Sequence, residues 1–265
     1  MENHYPGSML ELASSLTLST LPDHMVSIPG GTFRLDDRFK VTLSPYALCR
    51  YPVTQALWAA VMKDNPHPSR FQGPQRPVER VNWYDAVSFC NALSKRQGLT
   101  PAYEIDPYTQ DPDNQNSSDD PKWTVKLIQG AHGYRLPTEV EWEYAARGGP
   151  YARGFEYAGS PDLDQVGWYS RNSNQETQPV GQKRPNELGL YDMSDNVWEW
   201  CWDWYAAYPT SPQTDYQGPE GGSYRVYRGG SWNGGAGLSR VASRLYFYHP
   251  VRRSVDLGFR LARYV

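Results

Sequence analysis

RGGSWNGGAGLSRVASRLYFYHPVRRSVDLGFR, residues 228–260, has two ends of one character and a middle of another. RGGSW and LGFR at the ends read as a frame. The middle collects glycines, aromatics and arginines with neither a helical nor an alternating period. Within it LYFYHP sets bulky side chains in a row. An extended backbone sends successive side chains to opposite faces. Either about half of them face outward, or the run is a strand covered on both sides. Gly234, Gly235 and Gly237 favour a loop over a packed element.

The composition around this segment is consistent with a loop-rich fold. Ten Trp and twenty Tyr against seven Phe supply aromatics whose polar tips seek hydrogen bonds. The 23 Gly and 22 Pro make turns frequent and long regular elements few. At 265 residues the chain has room for one large domain or two small ones, and no linker separates two. The formal charge of −3, with both signs interspersed, gives no electrostatic footprint for nucleic acid. No apolar run approaches the roughly 20 residues that span a bilayer.

Regular elements announce themselves locally. MVSIPGGTFRLDD (25–37) reads as two short strands, and VTLSPYALCRYPVT (41–54) as a further strand and a loop. Thr54 caps a helix through QALWAAVM. Asn82 with Asp85 caps the next, and Gly98 stops it. Ala86, Phe89, Cys90 and Leu93 form its apolar face, with Cys90 a buried small hydrophobe. Residues 106–122 are too hydrophilic to pack and read as an exposed insertion. In RLPTEVEWEYAARGG, Thr138 and Glu141 form a capping box and Gly148 ends the helix. Residues 1–24 read as a lead-in, and 25–265 as one domain that ends in the framed segment of about 228–260.

Seven blocks in order carry a resemblance. IPGGTF (28–33), YPVTQALW (51–58), PVERVNWYDAVSFCNALS (77–94) and YRLPTEVEWEYAARGG (134–149) come first. NELGLYDMSDNVWEWCWDWY (186–205), RGGSW (228–232) and LGFRLA (257–262) complete them. Together they resemble the formylglycine-generating-enzyme, or sulfatase-modifying-factor, family. The resemblance implies an α+β, C-type lectin-like fold with little regular secondary structure.

The family's oxidases hold copper on two cysteines just beyond RGGS, because copper(I) needs soft ligands. Here the chain has three cysteines, Cys49, Cys90 and Cys201, and none follows RGGS. Gly234 and Ser239 stand about where the thiolates belong. A sulfoxide-synthase branch uses a His-x3-His pair, which His4, His24, His67, His132 and His249 do not make. No nucleophile elbow, phosphate loop or zinc-helix motif is present. Resemblance also implies a structural calcium on the Asp192 and Glu199 carboxylates and the Asp195 and Val197 carbonyls, a set of hard oxygens. The alternative for that block is core packing by Trp198 and Trp200, with the carboxylates in local hydrogen bonds. No cofactor is required for the fold itself.

Residues 233–256 contain no Lys, Glu, Gln, Met or Trp. An AAC codon with its adenines randomised yields every residue type except these five. The segment therefore resembles the cassette of variable proteins diversified by retroelements, several of which use this fold. That resemblance implies a non-catalytic, monomeric, receptor-like protein at a cell surface, binding an unknown protein or surface ligand. The ligand-contacting positions expected are Gly234, Gly235, Leu238, Ser243, Leu245, Tyr246, Phe247, Tyr248, His249, Ser254, Val255 and Asp256. Arg240, Arg244 and Arg253 are expected to hold the loop. The rival expectation is a formylglycine-generating-type oxidoreductase that has lost its copper cysteines.

Overall fold

The sequence folds into four small sheets and four helices joined by long ordered loops, in a computed structural model that describes residues 16–245 and 247–265. The chain begins with β1 (Met25–Ile28), β2 (Gly31–Arg34), β3 (Lys40–Leu43) and β4 (Tyr46–Cys49), followed by α1 (Gln55–Val61) and α2 (Trp83–Arg96). A hairpin of β5 (Tyr103–Gln110) and β6 (Trp123–Leu127) precedes α3 (Glu139–Ala146) and the single turn α4 (Leu163–Val166). Last come β7 (Trp198–Trp204), β8 (Gln213–Thr214), β9 (Arg225–Arg228), β10 (Leu257–Phe259) and β11 (Ala262–Tyr264). This is the expected α+β architecture of few helices and small sheets.

All three expected caps form. The Thr54 side chain accepts from Leu57 N–H, and the Asn82–Asp85 and Thr138–Glu141 boxes are both complete. Residues 41–54 hold two strands rather than one, because Pro45 interrupts the ladder between β3 and β4. β4 lies between β1 and β11 and is buried on both faces, so it lacks the alternation that marks a half-buried strand. The polar stretch 106–122 is also corrected. Asn114, Asn116 and Asp119 are buried, and Asp119 accepts from the Tyr84 hydroxyl and from Val251 N–H. Leu16 and Leu21, ahead of the first strand, pack in the main core.

That core gathers α1, α2, β7, β9 and β10. Trp58 stacks on Phe89 at 5.3 Å, and Phe259 meets both edge-on. β7 is the central strand of its sheet, pairing parallel with β10 and antiparallel with β9. Glu199 lies opposite Arg228, and Trp198 opposite Leu257. The cassette therefore leaves one flank of β7 and returns on the other, arching over the start of that strand.

Candidate functional site

Two buried arginines, Arg228 and Arg260, hold the ends of the arch, and the half-buried Arg244 ties down its middle. Arg228, at the end of β9, is ion-paired with Glu143, and its Nη1 and Nη2 donate to the carbonyls of Ser243 and Val241. Arg260, just after β10, meets both Glu199 oxygens (2.8–3.2 Å) and donates to the carbonyls of Cys49, Arg50 and Tyr191. Arg244, inside the cassette, makes a two-pronged pair with Glu139 (2.6 and 2.8 Å) and donates to Ala206 O. Its guanidinium also lies over Tyr205 and Tyr208. Charge-assisted, two-pronged pairs of this kind fix orientation as well as energy.

Between these anchors the cassette backbone is tied to the scaffold. Tyr248 O accepts from Arg225 N–H, Pro250 O from Trp83 N–H, Ser254 O from Arg80 N–H, and Val255 O from Trp232 Nε1. Arg253 pairs with Asp85 and donates to Arg80 O, while Arg240 pairs with Glu156. Main-chain position is thereby set by carbonyls, which every residue type carries.

The side chains divide into three groups. Gly235, Leu238 and Phe247 are exposed, Phe247 by 62%. Ser243, Leu245, Tyr248, His249, Ser254 and Val255 are half-buried. Tyr248 stacks on Tyr227 at 4.5 Å, the main chain of Leu245 forms a β-bridge with that of Tyr227, and the Ser243 hydroxyl donates to Gly237 O. Gly234 and Asp256 are buried, which corrects their expected place on the surface. Asp256 is turned inward because it closes a network with Ser254 and Ser231. Tyr246 lies outside the described residues.

Asn233, Gly237, Arg240, Ala242 and Arg252 are exposed as well, although the resemblance did not single them out as contacts. A Cβ at Gly235 or Gly237 would meet nothing within 4 Å. The surface therefore accepts new side chains at both positions.

All three thiols are buried and unpaired to one another. Burial pushes Cys49 up to about 11 and raises Cys90 and Cys201 well above the usual thiol range. Neutral thiols neither attack nor hold metal. Ser239, at the expected thiolate position, is buried and donates to Asp195 Oδ1 at 2.7 Å.

The expected calcium set does not fit that ion. Both Glu199 oxygens are committed to Arg260, and Oε2 also accepts from Trp142 Nε1 at 2.7 Å. The guanidinium supplies the positive charge that calcium would bring. Asp192 accepts from Gly181 N–H. No cluster of three His, Cys, Asp or Glu suited to a metal occurs among the described residues.

The sulfatase-modifying factor enzyme 1-like domain matches residues 13–265. The Paenibacillus barcinonensis chaperone protein LppX is 43% identical over 84% of this chain and 83% of its own length. The formylglycine-generating enzyme of Thermomonospora curvata is 33% identical over 90% and 92%. Among solved structures, Treponema denticola variable protein 1 superposes with a TM-score of 0.80 at 38% identity, over 91% of this chain and 95% of that one.

Proposed function

Because the chain belongs to the sulfatase-modifying factor enzyme 1-like family, we propose that it is a non-catalytic member whose C-terminal cassette displays a diversified surface for a polypeptide ligand. One observation carries this reading. The cassette is held by its main chain and by Arg228, Arg244 and Arg260, while Gly235, Gly237, Leu238, Arg240 and Phe247 face solvent. A scaffold built this way tolerates changed side chains without losing shape. Rigid aromatics and arginine are the usual anchors of protein recognition.

The similarity to a variable protein and to a protein named a chaperone supports a binding role and a protein ligand. The buried, neutral thiols speak against the oxidase chemistry of the formylglycine-generating relatives. The protein acts as a monomer at a cell surface in this reading, with no cofactor.

Its test is a graft. Gly235, Gly237, Leu238 and Phe247 are replaced together by residues from the cassette's restricted alphabet. The expected outcome is a changed cross-linked surface partner with the melting temperature held within a few degrees, as for exposed positions. An unfolded graft, or an unchanged partner, overturns the reading.

A further inference from the structure

A concavity lies between the β5–β6 hairpin, β7 and the loop of residues 217–220. It encloses about 540 Å³ and is lined by Asp111, Asp113, Lys126, Trp202, Glu220 and Arg225, among others. That is within the usual size of a small-molecule site.

Arg225 is its unusual member. It is 3% exposed, and its guanidinium sits between the rings of Trp83 and Trp204, 3.8 and 3.6 Å from their centroids. Nη1 donates to Trp202 O at 2.6 Å, whereas Nε has no partner. No carboxylate forms an ion pair with Arg225 among the described residues, in contrast to buried Arg135, Arg228 and Arg260. Burial depresses it to about 9. Indole faces offset part of the desolvation of such a cation, and an anion would offset the rest.

The walls argue against a simple anion. Asp111, Asp113 and Glu220 outnumber Lys126 and Arg225, so a phosphate or sulfate entering the groove meets net repulsion. A ligand carrying both charges satisfies both ends. We propose that this groove binds a small zwitterion of the α-amino-acid class, its carboxylate on Arg225, its ammonium among Asp111, Asp113 and Glu220, and its apolar part against Trp202. Trp202 is half-buried and stacked on Tyr103 at 5.2 Å, which makes a firm wall for that part. The site goes beyond the cassette reading and needs none of the cassette's exposed side chains.

Tryptophan fluorescence and calorimetry with L-phenylalanine, L-phenylalaninamide and 3-phenylpropionate test it on the full chain. Saturable binding of L-phenylalanine is expected, with each analogue weaker by about tenfold or more, because each loses one charge-assisted contact. Asp113→Asn with Glu220→Gln, both on the exposed rim, should weaken L-phenylalanine and spare 3-phenylpropionate. Arg225→Gln should abolish binding of both carboxylates; the rim pair keeps the test decisive if that variant does not fold. Absence of saturable binding overturns the proposal. So does equal affinity for the amide, or a rim variant that binds L-phenylalanine as the parent does.

Discussion

Phe247 and Tyr248 are neighbours in sequence and should respond oppositely to truncation. Phe247 is 62% exposed, so roughly a third of it is removed from water. Full burial of such a side chain is worth about 1.5–3 kcal/mol. Phe247→Ala should therefore cost about 1 kcal/mol or less. Tyr248 stacks on Tyr227, meets the edge of Trp200 and lies under Arg252. Half of the roughly 3–5 kcal/mol for a fully buried aromatic is about 2 kcal/mol, and loss of the stack adds about 1 kcal/mol. Tyr248→Ala should cost about 3 kcal/mol. Urea denaturation of both variants beside the parent measures the difference directly. If Phe247→Ala costs as much as Tyr248→Ala, Phe247 is a core residue and the display surface does not exist as described.

Arg244→Ala removes the two-pronged partner of buried Glu139, which keeps the longer contact to Arg228 at 3.4 Å and the Tyr208 hydroxyl at 3.1 Å. A loss of about 3–5 kcal/mol in a denaturation curve is expected, with protease cleavage appearing within the cassette. Glu79 is 0% exposed, and burial pushes its carboxyl up to about 7 against the Phe71 and Arg70 N–H groups that pull it down. The folded value lies above the unfolded one, so its contribution is fully present below about 4.5 and is lost as pH rises through about 7. Stability should fall by about 3 kcal/mol across that window, and Glu79→Gln should flatten the slope. Cys49, Cys90 and Cys201 should resist iodoacetamide in the native protein and react only in denaturant, as read by mass spectrometry. Rapid native labelling of any of the three would reopen thiol chemistry.

Helix starts were legible because a cap is a local device: Thr54, Asn82 with Asp85, and Thr138 with Glu141 act within four residues. β4 was not, since a strand covered on both faces carries no period. Nor were Asn114 and Asp119, polar residues buried by partners from other elements. Asn114 donates to Asp119, which also meets Tyr84 and the backbone of Val251, 132 residues away. The cassette's limits could be recognised from RGGSW and LGFR. Which of its side chains face outward could not, because Asp256 turns inward to serines on both sides of the arch.

The sequence by itself determined the helix caps, the seven ordered blocks and hence the family. It also displayed the restricted residue alphabet of the cassette. These are properties of neighbouring residues or of order along the chain. Tertiary structure decided that Arg260 pairs with Glu199, that Tyr248 packs while Phe247 is exposed, and that Arg225 lies beside an open groove with no carboxylate ion-paired to it among the described residues. Each of those depends on which distant segment arrives opposite a side chain, and that pairing is made only when β9 and β10 close on β7.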